Sequence, residues 1–184
     1  MLHKKNGRRM NRKGLICVLT GDGKGKTTAA FGAALRAAGQ GLRVLILQFM
    51  KRQNNIGELK ALENLRLPIE IKQFGRRVFF KSRACEPMDI YRANQGLQTF
   101  QEAMQSGEYD MIILDEINVA VHFELLDFGD VINTLKIKPP ALHLILTGRN
   151  ARKELIEMAD MVTEMREVKH HYNQGILAQK GIEF

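Results

Sequence analysis

The sequence predicts an α/β fold in which a doubly wound, mostly parallel sheet carries helices on both faces. Short apolar runs recur along the 184 residues, and stretches long enough to form a helix separate them. The runs are continuously apolar rather than alternating, which is typical of parallel strands that are buried on both faces. In such a sheet, ligands bind at the carboxyl ends of the strands.

Six segments are predicted to form strands. The first, Leu15 to Leu19, ends directly in a glycine-rich loop. An alanine-rich stretch from Lys26 to Ala38 follows, in which small side chains allow a helix to lie close to the sheet, and Gly39 supplies a stop. The other strands are predicted at Val44 to Phe49, Ile69 to Phe74, Met111 to Leu114, Leu142 to Leu146 and Met161 to Met165. Further helices are predicted near residues 56–66, 88–106, 124–136 and 151–159.

Length and composition limit the class of protein. With 184 residues and 45% hydrophobic content, the chain is large enough for one substantial core, so a single domain is expected. No apolar stretch approaches the roughly 18 residues that span a bilayer, and the N-terminus lacks the apolar segment of a secretory signal. A cytoplasmic protein without a membrane partner is therefore expected. The two cysteines, Cys17 and Cys85, indicate neither a disulfide framework nor a cysteine zinc site.

The positive charge is concentrated in a basic N-terminal arm, residues 1–13. The formal net charge is +8. Six of these charges come from Lys4, Lys5, Arg8, Arg9, Arg12 and Lys13. Because the rest of the chain is nearly balanced, a nucleic-acid-binding face on the folded body is not expected. The arm is either a solvated tail or a lid that folds over a polyanionic substrate, and the folded domain is expected to span residues 14–184.

A phosphate-binding loop is predicted between the first strand and the first helix. It comprises Gly21, Asp22, Gly23, Lys24, Gly25, Lys26, Thr27 and Thr28. Its glycines allow backbone N–H groups to turn inward around phosphate oxygens, and the helix N-terminus adds a positive dipole end. Lys26 is expected to reach the phosphates of ATP, and the Thr27 hydroxyl to hold Mg²⁺. The residue five positions before Gly25 is Thr20 rather than glycine, so this shorter loop predicts an unusual register for the triphosphate.

Two carboxylates, Asp115 and Glu116, directly follow the fourth predicted strand. The carboxyl end of a parallel strand lies at the same sheet edge as the phosphate loop, so an acid here can ligate or orient the metal that Thr27 contacts. Successive side chains on a strand point in opposite directions, so the two acids are expected to have different roles. The alternative is that they only end the strand and cap the next helix.

Other candidate groups are cationic. Arg149 follows the fifth strand and is a candidate phosphate ligand, because its planar guanidinium suits oxyanions; a surface position in a glycine turn is the equal alternative. Lys169, His170 and His171 are more typical of a protein surface. No nucleophile motif is present, so either water or a hydroxyl is the acceptor, or the second substrate supplies its own nucleophile.

The ordered set of motifs resembles the P-loop ATP:cob(I)alamin (corrinoid) adenosyltransferases of adenosylcobalamin biosynthesis. The resemblance runs from Gly14 to Phe184 and implies a RecA-like P-loop fold. The matching segments are Thr20 to Ala30, Arg36 to Gly39 with Gly41 and Val44, Gln48 to Lys51, Leu114 to Ile117, Leu146 to Arg149, and Val168 to His170 with Gly175, Ala178 and Gly181 to Phe184. The phosphate loop alone is shared by many families, whereas the ordered set is far more specific.

The resemblance implies transfer of the 5′-deoxyadenosyl group of ATP to the Co(I) of a reduced cobalamin- or cobinamide-type corrinoid, with release of triphosphate. Co(I) would then be the nucleophile that the protein lacks. Lys26 and Glu116 are the implied catalytic residues. Lys26, with Mg²⁺ or Mn²⁺, would stabilise the departing triphosphate, and the family pattern favours Glu116 over Asp115 as the metal ligand. A P-loop ATPase or small-molecule kinase acting at the γ-phosphate is the alternative.

The resemblance also suggests where the corrinoid and protein partners bind. Family members lift the lower axial ligand from cobalt with apolar and aromatic residues. The matching stretch here, Gly75 to Phe80, departs from their pattern, and Phe79 and Phe80 are the candidates; both could equally be ordinary core residues. A homodimer and a flavodoxin-like or flavin reductant are further implied.

Overall fold

A computed structural model describes residues 13–52, 56–76 and 85–183 of the chain. Residues 1–12 of the basic arm, together with Phe79, Phe80 and Phe184, lie outside these ranges. The described residues form one sheet with strands β1 Ile16–Thr20, β2 Val44–Phe49, β3 Ile69–Phe74, β4 Met111–Asp115, β5 His143–Thr147 and β6 Met161–Glu164. All pairings are parallel, in the order β3-β2-β4-β5-β1-β6. The predicted strands and the parallel sheet are therefore confirmed.

The helices differ from prediction mainly between β4 and β5. They are α1 Lys26–Gly39, α2 Gly57–Leu65, α3 Pro87–Ser106, α4 Ile117–His122, α5 Phe128–Lys136 and α6 Lys153–Met158, followed by a 3₁₀ helix, His171–Gln174. The short helix α4 was not predicted. The predicted start of α5 at residue 124 is wrong, because the Asp127 side chain accepts a hydrogen bond from the backbone N–H of Asp130 and caps the helix there. The remaining predicted helix bounds lie within two residues of those observed.

Side chains from the strands form a core on each face of the sheet. Leu45 and Leu47 of β2 pack on the face that α3, α4, α5 and α6 cover. Val44 and Ile46 of the same strand face the other way and pack with the alanine-rich side of α1. This alternation follows from the two-residue period of a strand. Helices on both faces explain why every residue of β2 is buried, and they confirm the doubly wound architecture.

The strand order places the ends of β1 and β4 close together, with β5 between them. β5 lies between β1, which leads into the phosphate loop, and β4, which ends at Asp115. An intervening strand of this kind is the RecA-like arrangement. Because the sheet is parallel, all three strands end at the same edge, where a ligand is expected. Among the described residues, no helix is both long and apolar enough to cross a bilayer.

Candidate active site

The phosphate loop turns between β1 and α1, as predicted, and rests against the chain that leaves β6. The backbone N–H of Gly23 donates to the carbonyl of Met165 at 2.6 Å. A Cβ atom at Gly23 would lie 2.7 Å from that carbonyl oxygen, and one at Gly21 would lie 2.5 Å from it. Gly21 also has a positive φ of 89°. Both positions therefore require glycine, because the backbone after β6 forms the support on which the loop is built.

Lys26 lies in the first turn of α1 and is buried. Its Nζ donates to the carbonyl oxygens of Gly21 and Gly23, at 2.6 Å in each case. Burial lowers the pKa of Lys26, and the nearby Arg149 adds to this effect, while two carboxylates oppose it. The loop's own carbonyls thus hold the ammonium in the position from which phosphate oxygens could accept its protons.

Asp115, the last residue of β4, is fully buried and accepts four hydrogen bonds. Its Oδ1 accepts from the hydroxyls of Thr27 at 2.9 Å and Thr147 at 2.8 Å. Its Oδ2 accepts from Gln48 Nε2 at 2.9 Å and Lys51 Nζ at 2.8 Å. Burial opposes ionisation, but the Lys51 charge and these hydrogen bonds outweigh it and lower the pKa of Asp115. The carboxylate therefore joins α1, β2, β4 and β5 at one point.

Glu116 has a different environment from its neighbour. Its φ of 65° is left-handed, and the chain turns there from β4 directly into α4. Its backbone N–H donates to the hydroxyl of Thr147 at 2.9 Å, and its side chain is 25% exposed. Burial raises the pKa of Glu116; Lys51 opposes the shift and the adjacent Asp115 reinforces it. Asp115 thus has its hydrogen-bonding capacity filled, whereas the carboxylate of Glu116 is partly exposed in the site.

Arg149 reaches the phosphate loop from the end of β5. Its Nη2 donates to the carbonyl of Asp22 at 3.1 Å, and its Nε lies 3.8 Å from the Asp22 carboxylate. The side chain remains 56% exposed. The loop contact favours the phosphate-ligand interpretation over a plain surface position, since the guanidinium already lies against the loop that would hold the triphosphate.

Lys51 is the charged residue of the site to which the sequence analysis gave no role. It follows β2 after Met50, whose φ of 58° turns the chain. Its Nζ lies 2.8 Å from Asp115 Oδ2, 3.1 Å from the Thr27 hydroxyl and 3.7 Å from Glu116 Oε1. Burial is the largest influence and would lower the pKa of Lys51, but the two carboxylates together outweigh it and raise the pKa. The only sequence signal for Lys51 was its place in a family motif.

The oxygens around Lys51 fit a hard divalent cation. Thr27, Asp115 and Glu116 offer one hydroxyl and two carboxylates, which are the ligand types that Mg²⁺ and Mn²⁺ prefer. The Lys51 ammonium already lies among these oxygens, as expected where two carboxylates favour a positive charge. The residues present therefore fit the metal that the loop predicts.

The C-terminal segment meets the loop on its other side. Lys24 forms an ion pair with Glu183, whose carboxylate also lies 3.2 Å from Nε2 of His171. The rings of His170 and His171 stack with centroids 4.6 Å apart, and both residues are half-buried, whereas Lys169 is exposed. Gly23 and Lys24, with residues 166–171, line a cavity of about 340 Å³ beside the loop. The structure thus places Lys169 at the surface, as expected, and the two histidines in a partly covered position beside the loop.

The site combines a glycine-rich loop and its buried lysine with an acid at the end of β4, which one strand separates from β1. This combination defines a P-loop nucleotide-binding protein. Comparison with known families specifies which one. Residues 12–184 match the family model described as "ATP:corrinoid adenosyltransferase BtuR/CobO/CobP", and the chain belongs to that family. The family predicted from the motifs is confirmed.

Individual relatives agree with this assignment. A protein of Sinorhizobium sp named "Corrinoid adenosyltransferase" is 38% identical to the chain over 186 residues, covering 95% of this chain and 82% of the relative. A protein of the same name from Escherichia coli (strain K12) is 34% identical, with 95% and 87% covered. "Corrinoid adenosyltransferase CobA" of Salmonella typhimurium is 35% identical, with 94% and 86% covered. The similarity thus extends over most of each protein.

Proposed function

We propose that this chain transfers the 5′-deoxyadenosyl group of ATP to the Co(I) of a reduced corrinoid and releases triphosphate. Family membership supplies the reaction class. The observation that carries the proposal is the set of three cations, Lys26, Lys51 and Arg149, that surround the short phosphate loop. Such a concentration of positive charge suits a triphosphate that leaves as one unit, because the whole anion must be stabilised as its bond to carbon breaks.

The chemistry requires no nucleophile from the protein. A bond forms between cobalt and C5′ of the ribose, while the bond between C5′ and the α-phosphate oxygen breaks. The electron pair of Co(I) becomes the new bond, and the triphosphate keeps the pair of the broken one. No proton is transferred. The protein therefore has to hold cobalt, carbon and leaving oxygen in line and to neutralise the departing anion.

We assign the phosphates to the loop from Gly21 to Thr28, with Lys26 and Arg149 as charged ligands. Thr27, Asp115 and Glu116 are the residues that would hold Mg²⁺ or Mn²⁺. When bound, the ion would neutralise charge on the triphosphate. Glu116 is favoured over Asp115 as a direct ligand because its side chain is partly exposed. Both oxygens of Asp115 already accept two hydrogen bonds each, so Asp115 could ligate the ion only after a donor such as Lys51 moves away.

A single assay tests the reaction. The protein is given ATP, Mg²⁺ and a chemically reduced corrinoid, and the products are analysed for a cobalt–carbon bond and for inorganic triphosphate. Equal amounts of alkylated corrinoid and triphosphate are expected. ADP and phosphate with an unchanged corrinoid would contradict the proposal and support the alternative of γ-phosphate chemistry.

We further infer from the family resemblance a cytoplasmic homodimer whose corrinoid is reduced by a flavodoxin-like protein or a free flavin. The basic arm, residues 1–13, is proposed to close over the site, and Phe79 and Phe80 are proposed to face the corrin. Sedimentation equilibrium tests the dimer. Deletion of residues 1–13 tests the arm, and a raised KM for ATP or corrinoid is expected; an unchanged KM would contradict the lid.

A further inference from the structure

We propose that the Lys51 ammonium occupies the divalent-metal position of the nucleotide-free enzyme, so that the metal ion binds only together with ATP. The inference rests on the metal site proposed above. It concerns the order in which that site is filled, and it assigns to Lys51 the role of a positioning residue that exchanges partners when the triphosphate arrives.

The Lys51 ammonium lies close to oxygens that the metal ion would need. Nζ of Lys51 lies within hydrogen-bonding distance of the Thr27 hydroxyl, at 3.1 Å, and of Asp115 Oδ2, at 2.8 Å. These oxygens belong to two of the three residues that would ligate the ion, and the third, Glu116, offers an oxygen 3.7 Å away. A Mg²⁺ ion binds its oxygens at about 2.0–2.1 Å. The ion and the ammonium would thus compete for the same oxygens.

Electrostatic repulsion prevents the metal ion and the Lys51 ammonium from sharing the site. Two cations held by the same carboxylate would lie only a few ångströms apart, in surroundings where water screens little, because Asp115 is fully buried and the Lys51 side chain is 28% exposed. A free divalent ion must therefore displace the ammonium before it can bind. The displaced ammonium would also lose the carboxylate that compensates its charge.

A bound triphosphate would make it easier for the metal ion to displace the Lys51 ammonium. It brings several negative charges to the loop beside Thr27, and phosphate oxygens can accept the protons of the displaced ammonium. The lysine side chain has a four-carbon stem, so Nζ can move to a new acceptor without a change in the backbone. The turn at Met50, with its φ of 58°, holds the start of that stem at the end of β2. Binding of metal and nucleotide should therefore be coupled through Lys51.

Manganese binding tests the coupling directly. The electron paramagnetic resonance signal of free Mn²⁺ is titrated with the full chain, without corrinoid, in the presence and absence of ATP. Wild-type protein is expected to bind Mn²⁺ weakly alone and tightly with ATP. In Lys51→Met, Mn²⁺ without nucleotide should bind roughly tenfold more tightly, within the usual range of site–site coupling, and ATP should improve the affinity less. No gain in nucleotide-free affinity would overturn the proposal.

Three variants sharpen the test. Lys51→Arg keeps the positive charge, so its nucleotide-free Mn²⁺ affinity should stay weak; tight binding by this variant would also overturn the proposal. Lys72→Met makes the same chemical change on β3, where Lys72 pairs with Glu70 at 3.1 Å, and should leave Mn²⁺ binding unchanged. If the uncompensated Asp115 prevents Lys51→Met from folding, Lys51→Gln is used, since its amide can still donate to Asp115.

The design separates this inference from the proposed function. If wild-type protein with ATP binds no Mn²⁺ that is sensitive to Glu116→Gln, the metal site itself is wrong. If that binding is present but Lys51→Met leaves the nucleotide-free affinity unchanged, only the role of Lys51 fails.

Discussion

At the scale of single residues, the buried carboxylate of Asp115 depends on four donors from three parts of the chain, namely α1, the end of β2 and β5. One of these donors, Thr147, forms hydrogen bonds with both acids of the site. Its hydroxyl donates to Asp115 Oδ1 at 2.8 Å and accepts from the backbone N–H of Glu116 at 2.9 Å. It therefore orients both acids of the site from the end of β5.

We expect Thr147→Val to lower the free energy of unfolding by about 1–3 kcal/mol, because the shape is kept while two buried polar groups lose a partner. The affinity for ATP with Mn²⁺ should fall as well, since both acids become less well oriented. Urea denaturation and calorimetric titration measure the two effects.

Thr134→Val is the matched control. Thr134 is also buried, and its hydroxyl donates to the Asp130 carbonyl and accepts from Gln101, far from the loop. A similar loss of stability is expected with no change in nucleotide affinity. An equal loss of affinity in both variants would contradict the role assigned to Thr147.

At this scale the sequence identified the two acids, Lys26 and Arg149, but not the residues that hydrogen-bond to Asp115 from β2 and β5. The loop glycines, Lys26 and the two acids are recognisable because a known pattern of neighbours surrounds them. Lys51, Gln48 and Thr147 lie in segments that match the family, but no motif assigns them a role. They become part of the site only because β2 and β5 flank β4 in the sheet, and the strand order cannot be derived from spacing alone.

At the scale of secondary-structure elements, the phosphate loop is supported by the chain that leaves β6. A Cβ atom at position 23 would lie 2.7 Å from both the Met165 oxygen and the Arg166 carbonyl carbon. Because both contacts are with backbone, the loop would have to move away as a whole. We expect Gly23→Ala to weaken ATP binding at least about tenfold, or 1.4 kcal/mol, as measured by calorimetric titration.

Gly32→Ala provides the comparison within the adjoining helix. A Cβ atom at Gly32 would meet nothing within 4 Å, and the residue lies in the interior of α1. This change should stabilise the protein by about 0.5–1 kcal/mol in urea and leave ATP affinity unaltered. If Gly23→Ala behaved in the same way, the close contact with the chain after β6 would be irrelevant to binding.

The elements that the sequence predicted well are those with a strong repeating pattern. Continuous apolar runs identified the strands, since parallel strands are covered on both faces. Helix α4 was missed because its six residues are too few to show a helical period, and its start depends on the left-handed turn at Glu116. The start of α5 was misplaced because the cap at Asp127 was not recognised.

At the scale of the whole molecule, a contact far from the loop links β3 to the segment before β4. The hydroxyl of Tyr109 donates to Glu70 Oε2 at 2.5 Å. Burial, followed by the hydrogen bond to Glu70, raises the pKa of Tyr109 to about 12. The folded chain therefore keeps a proton between about pH 10 and 12 that the unfolded chain releases, so this group's contribution to stability is lost as pH rises through that window.

We expect the difference in tyrosinate absorbance between wild type and Tyr109→Phe to titrate near pH 12. In wild type, the free energy of unfolding should fall more steeply between about pH 10 and 12 than it does in the variant. A midpoint near 10 for the difference signal would mean that the contact with Glu70 does not form in solution.

The left-handed backbone at Glu116 has opposite effects on stability and on metal binding. A glutamate in the left-handed region is strained by on the order of 1 kcal/mol, and asparagine tolerates that conformation far better. Glu116→Asn should therefore unfold at equal or higher urea concentration than wild type, while binding of Mn²⁺ with ATP is lost. A lower midpoint would contradict this expectation. The strained turn and the proposed metal ligand are thus the same residue, so stability and metal affinity should change in opposite directions when this position is substituted.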